Sequence, residues 1–330
     1  MMLLSLSEAH PHDEIRFWLF YLSFPPAKLV ELEKFCTRLP NLRLHLVQVP
    51  DRQNFVRLSQ LGGRPYGARF LWLVAHLHLP ADMKRIIFLD PLDTLVTDDL
   101  VPFLHHPFAG NYVVACREIP SRPPLITAPA RTAHARGASA AKILRVSKGV
   151  LNSGAIVINL ERLRRDGIGI SHYLEVGQWA REQMGLSFGD QGLFSLTHGS
   201  HYMQAHDRYN LRFFDHTTRL RKLCPAVIHF AGNIPKPATL RLSSAQEQQI
   251  SNHMAKIGKS VMRITPRQII SPAFFPYYRR WWEVCARTPC HARIAPLAEA
   301  KTSEMLANLN LDPGRHSQDG GMVVRGAAVR

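Results

Sequence analysis

Acidic residues are scarce in this chain. Of 330 residues, 25 are Asp or Glu against 41 Lys or Arg, a formal net charge of +16. An excess of that size suits an anionic partner: nucleic acid, an acidic lipid surface or a phosphorylated substrate. Nucleic acid drops out, because no RNA-recognition signature, Cys/His finger or basic zipper is present. Cysteine is sparse and odd in number (Cys36, Cys116, Cys224, Cys285, Cys290). That pattern argues against a disulfide framework and for a reducing compartment. Cys285, Cys290 and His291 have no fourth ligand at zinc spacing. No run approaches the ~18 apolar residues needed to span a bilayer. The opening MMLLSLSEAHPHDE lacks both the positive n-region and the apolar length of a signal peptide. These absences lead us to expect a cytoplasmic protein with no membrane span. An internal repeat is missing too.

What is present is a globular chain. Its hydrophobic fraction of 46% supports a sizeable core, and its length suits one large α/β domain with an appendage, or two domains. Glu14–Leu22 reads as a strand, Ala27–Leu39 as an amphipathic helix and Asn41–Val49 as a half-buried strand. Tyr66–Leu79 reads as a helix ending at Pro80, and Arg85–Leu89 as a buried strand. This β-α-β-α-β order predicts a mostly parallel sheet with helices on its faces. Asp98 or Asp99 caps a short helix through Leu104. Asn111–Cys116, Gly154–Leu160 and Ala226–Ala231 are further strands, Ile170–Gln183 is a helix, and Asp190–Gln191 opens another. Between Glu118 and Lys148 lies a long Pro-, Ala- and Arg-rich stretch without an acid. Loops of that length are functional or disordered, and a basic lid and a plain insertion both fit it.

Lys84–Leu100, KRIIFLDPLDTLVTDDL, organises the rest. The strand stops at Asp90 and Pro91, which puts Asp90 at a strand's carboxyl end, where open α/β sheets place ligands. Pro91 presets the second position of a turn that brings residues i and i+3 within about 7 Å. Those residues are Asp90 and Asp93, and two carboxylates on one tight turn can chelate a hard divalent cation beside a phosphate-bearing substrate. A turn-capping Asp90 with a solvated Asp93 is the plain alternative.

Four separated pieces stand in order: IIFLDPLDTLV, LNSGAIVINLERLRR, FGDQGLFS with a later RYNLRF, and IHFAGNIPKP. Together they resemble glycosyltransferase family 8, the retaining UDP-sugar transferases of the GT-A fold, over roughly residues 5 to 290. The resemblance implies a Rossmann-like sheet with helices on both faces and a small C-terminal helical region. It also implies Mn²⁺ (or Mg²⁺) held by Asp90, Asp93 and His229. Asn152, Ser153 and Gly154 then contact sugar. Gly232 admits the diphosphate, Lys236 neutralises it, and Asp190 and Gln191 flank the anomeric centre. The family's Arg after Tyr66 falls near Trp72, and Arg69 one turn away substitutes for it. The implied partners are a UDP-hexose donor and a saccharide or lipid-linked cell-envelope acceptor.

The chain departs from the pattern in places. It begins at the pattern's second strand, two residues instead of one separate Asp90 and Asp93, and Gly192 follows Gln191 where an acid is usual. The expected division is a catalytic domain over 1–240, a helical region over 241–311 and a disordered tail over 312–330. Within the second region Tyr277, Tyr278, Arg279, Arg280, Trp281 and Trp282 combine amphipathic rings with cations. They are expected to rest partly on the domain and partly on an anionic membrane, the inner face of a bacterial cytoplasmic membrane. Two rival functions stay open. One is a catalytically impaired member acting as a binding protein. The other is a nucleotidyltransferase, whose Gly-rich basic N-terminal loop is not found here.

Overall fold

β-branched and aromatic side chains favour extended backbone, and the run EIRFWLFYL adopts it. In the computed structural model, which describes residues 1–63, 66–118, 133–141, 143, 151–199, 202–213 and 224–309, helix α1 (Met2–Ala9) leads into strand β1 (Ile15–Tyr21). Helix α2 (Pro26–Cys36) opens on a proline, whose fixed φ suits a first helical turn. It returns the chain to β2 (Leu42–Gln48), parallel to β1 from Ile15↔Leu42 to Tyr21↔Gln48. Helix α3 (Arg52–Gly62) adds to the elements expected from periodicity, and its ends are written in the sequence. Asp51 accepts from the Asn54 N–H, and Gly63 closes the helix at φ 66°.

Gly67–Leu77, read as an α-helix, is a 3-10 segment with a kink at Val74. Phe70 through His76 are all buried. No face is left to solvent, so packing against α3 and β1 sets the backbone and not helical propensity.

The chain continues through β3 (Arg85–Leu89), β4 (Thr94–Val96), α4 (Val101–Leu104), β5 (Val113–Arg117) and β6 (Leu151–Asn159). Helices α5 (Leu160–Arg165), α6 (Ile170–Glu182) and α7 (Asp190–His198) follow, then strands β7 (Tyr202–Gln204) and β8 (Val227–His229). Strand order is β3-β6-β5-β7, with β4 and β8 paired apart. The α/β class holds, but the sheet is mixed. It is parallel at β1/β2 and β5/β7, and antiparallel where β6 meets β3 and β5 and where β4 meets β8. The β-α-β signals fix direction only between consecutive strands. β6 arrives after a long connection that carries no such constraint, and it slots in reversed between β3 and β5.

Side chains of the sheet alternate between two buried clusters. One holds Phe55, Phe70, Trp72, Ile156 and Ile158, and the other Val96, Phe103, Val114, Ala155 and Val157. Trp18 and Phe20 of β1 join the first with Ile86 and Phe88 of β3, while Ile15 and Phe17 join the second with Ile87 and Leu89. β1 and β3 therefore run in one layer, yet among the described strands no ladder joins them.

Two compact units divide the chain, Met1–Arg212 with Thr218–Ala231, and Phe213–Thr217 with Gly232–Arg330. The second contains α8 (Ser244–Lys256), the hairpin β9 (Met262–Thr265) and β10 (Gln268–Ile270), then α9 (Phe275–Cys285) and α10 (His291–Asn308). Several of the rings expected to rest partly on the domain and partly on a membrane belong to the core of this unit. Phe274, Phe275, Tyr278 and Trp281 are buried, Tyr277 packs edge-on against Phe213, and the Trp282 indole donates to the Leu240 carbonyl. Their spacing puts Tyr278, Trp281 and Cys285 on one helical face. Arg279 and Arg280 remain exposed.

Candidate active site

The site starts where β3 ends. The Asp90 N–H donates to the Gly154 carbonyl (2.9 Å), fastening the strand end to β6. The Asp90 carboxylate accepts from the Leu92 N–H (2.9 Å), and the Thr94 hydroxyl donates to the Asp90 carbonyl (2.6 Å). These bonds fold Pro91 and Leu92 into a tight turn and aim Asp93 back at Asp90. The Asp93 carbonyl accepts from the Phe230 N–H (2.8 Å), beside the pairing Thr94↔His229. The result is a trio: Asp90, Asp93 and His229 each offer a ligand atom, all within 4.8 Å of one another. The extra residue between the two acids does not keep them apart. Two carboxylate oxygens and an imidazole nitrogen form a donor set that fits a divalent cation.

His229 is buried and held from behind. Its Nδ1 lies 3.1 Å from Asn152 Oδ1 and 3.0 Å from Asn210 Oδ1, while the Asn210 amide donates to Asn152 Oδ1 (2.8 Å). Two oxygen neighbours favour the tautomer with the proton on Nδ1. Gly154 lies against the same ring, and a Cβ there would sit 2.0 Å from Nδ1. Asn152 also donates to the Glu118 carboxylate and accepts from the Gly154 N–H (3.0 Å). Behind it, the buried Arg212 reaches the Glu118 carboxylate at 3.2 Å and the carbonyls of Arg117 and Glu118. Burial pulls the Arg212 guanidinium below its usual range, against the attraction of Glu118. Burial also pushes the neighbouring Cys116 thiol up to about 12, which removes it as a nucleophile.

A second group continues along β6. The register between β5 and β6 jumps from Ala115↔Ile156 to Cys116↔Asn152, so Ser153 to Ala155 bulge out of that ladder. The Ser153 hydroxyl donates to Asp190 Oδ2 (2.8 Å), and the Ser153 N–H donates to Gln191 Oε1 (3.2 Å). Asp190 starts α7, where free N–H groups and the helix dipole favour a carboxylate. The Trp72 indole donates to its Oδ2 (2.8 Å), and Arg69 Nε stands 3.7 Å from its Oδ1.

Nine of the residues singled out in the sequence thus stand in the first unit: Asp90, Asp93, His229, Asn152, Ser153, Gly154, Asp190, Gln191 and Arg69. Gly232 and Lys236 belong to the second unit. Gly232 has φ 93°, a conformation that selects glycine, and Lys236 precedes the 3-10 turn Pro237–Thr239. Sequence reasoning missed the roles of Trp72, Glu118, Asn210 and Arg212. The piece RYNLRF contains two of them, but only burial shows what they hold.

The α/β sheet, with α3, α6 and α7 on one face and α1 and α4 on the other, carries an Asp pair at a strand's carboxyl end. That is the GT-A architecture of glycosyltransferases. The family described as Glycosyl transferase family 8 matches residues 17–237, and this chain belongs to it. Among solved structures it is similar to the galactosyltransferase LgtC in complex with donor and acceptor sugar analogues. Identity is 20%, the match covers 78% of this chain and 90% of that one, and the TM-score is 0.51. It is also similar to the bifunctional glycosyltransferase WbbM in its apo form. There identity is 15%, coverage is 90% of this chain and 49% of that one, and the TM-score is 0.55. No curated protein matches the chain.

Proposed function

We propose that the protein is a retaining hexosyltransferase that moves a sugar from a UDP-hexose to a saccharide or lipid-linked acceptor. Mn²⁺ (or Mg²⁺) would be held by Asp90, Asp93 and His229. The observation that carries this reading is the convergence of the trio within 4.8 Å at a strand end. When bound, such an ion supplies Lewis acidity and a template for a leaving diphosphate.

The chain's own residues do the rest. Asp190 spends Oδ2 on Ser153 and Trp72 and keeps Oδ1, with Arg69 beside it, for sugar hydroxyls. Gln191 has its carbonyl tied to Ser153, which leaves its amide N–H groups to face the substrate. Those donors suit a reaction without a protein nucleophile. The acceptor oxygen bonds to the anomeric carbon on the face from which UDP departs, and the hydroxyl proton passes to the departing phosphate. The surplus of positive charge, with Arg280 and Arg287 exposed, supports contact with an anionic membrane surface.

Replacing Asp93 tests the reading. Asp93→Asn is expected to abolish Mn²⁺-dependent hydrolysis of UDP-sugars while the melting temperature stays at the wild-type value. Unchanged hydrolysis would remove Asp93 from the site. One departure favours a second reading, a binding protein without turnover: Gly192 follows Gln191 where the family pattern has an acid. Tight Mn²⁺ and UDP binding with no turnover of any UDP-sugar would select it.

A further inference from the structure

The second unit carries two adjoining cavities that the proposed reaction does not use. Their volumes are about 270 and 370 Å³, and both are lined by residues of that unit alone. They meet at Glu247 and Arg279, which line both. Glu247 stands on the first turn of α8 and Arg279 on α9. The Arg279 Nε lies 3.6 Å from Glu247 Oε2, beyond hydrogen-bond length, and neither side chain bonds another described residue. The Glu247 carboxylate is only 13% exposed, and burial raises its pKa above the ordinary range. A largely buried acid in an ion pair too long for a hydrogen bond with an exposed guanidinium keeps acceptor and donor positions for a ligand.

Charge and shape limit what can fill it. Across the first cavity Arg241 and Arg279 are matched by Glu247 and Glu283. Arg241 is further neutralised by Glu299 at 2.7 Å and lies over the Trp282 ring at 5.1 Å. A phosphate or an anionic headgroup would meet two carboxylates there and gain no net attraction. A purely apolar ligand would strand the Glu247–Arg279 pair without partners. A polyol satisfies both: each hydroxyl donates to a carboxylate and accepts from a guanidinium, and C–H faces can lie on Leu240, Leu242 and the Tyr278 and Trp282 rings.

We infer that this cleft binds a hexose unit of a neutral oligosaccharide, the Glu247–Arg279 pair bridging two adjacent hydroxyls. The choice of ligand rests on the reading of the chain as a sugar transferase with a saccharide acceptor. The cleft needs neither the donor nor the cation. The full-length protein is titrated with lactose, maltose and cellobiose by saturation-transfer-difference NMR and calorimetry, with Mn²⁺ and UDP absent. Saturable binding of at least one disaccharide is expected. Glu247→Gln and Arg279→Gln should each weaken it by about tenfold or more, as loss of a charge-assisted hydrogen bond does, while Mn²⁺ and UDP affinities stay at the wild-type level. The inference is overturned if none of the three sugars binds, or if both variants bind like the wild type. It is also overturned if inorganic phosphate or phosphatidylglycerol vesicles, and not the sugars, occupy the cleft in an Arg279-dependent way. Failure here leaves the Asp93→Asn result untouched, so the two readings are judged separately.

Discussion

Gly154 has no room for a methyl group, because the space a Cβ would take is filled by the His229 ring. A Gly154→Ala chain must move either the imidazole or β6. Overpacking of this kind costs about 1–3 kcal/mol, and here the ring that moves is a proposed ligand. We therefore predict a lower melting temperature together with Mn²⁺ affinity weakened by about tenfold or more, read by calorimetry. Wild-type Mn²⁺ affinity in a stable Gly154→Ala protein would separate His229 from the ion. Asn152 teaches the same lesson from the other side. The family pattern assigns it to sugar, yet its amide oxygen lies beside His229 Nδ1 and its amide nitrogen meets Glu118. A residue type and a motif indicate that a side chain matters, but burial decides which partner it has.

At the scale of elements, the unladdered edges of β1 and β3 are the feature with mechanical consequences. Each strand has a ladder on one edge only, among the described strands. Strand edges without partners open locally at low free energy. In hydrogen exchange, the amides of β1 that point away from β2, and those of β3 that point away from β6, are expected to exchange at least about tenfold faster than their paired neighbours. Equal protection on both edges would mean that those edges are paired in solution. The 3-10 segment Gly67–Leu77 belongs to the same scale. Its apolar run reads as a helix from periodicity, but burial of every residue from Phe70 to His76 overrides the α-helical repeat. That irregular backbone is what delivers Arg69 and Trp72 to Asp190.

At the scale of the whole molecule, the +16 charge belongs to the sequence as a whole rather than to any one motif. Contact with an anionic bilayer through such a charge is screened by salt, because the Debye length falls from about 10 Å at 0.1 M to about 3 Å at 1 M. Cosedimentation with phosphatidylglycerol vesicles is therefore predicted at low salt and lost near 1 M. Salt-insensitive binding would instead require inserted rings. Tyr278 and Trp281 are not available for that role, since they fill the interior of the second unit.

The local parts of this protein were determined by sequence alone. The β1-α2-β2 unit, the stop at Asp90-Pro91 and the helix beginning at Asp190 all follow from signals within a few residues, because propensity, turn chemistry and hydrophobic period act at short range. The Asp90–Asp93 turn was legible for the same reason. What only the tertiary structure decided lies across long separations. The reversed insertion of β6 and the docking of His229 against Gly154 are two such results. The Asn152–Asn210–Glu118–Arg212 network and the burial of the α9 rings are others. Each joins residues whose meeting is set by core packing, a term that no short window of sequence contains.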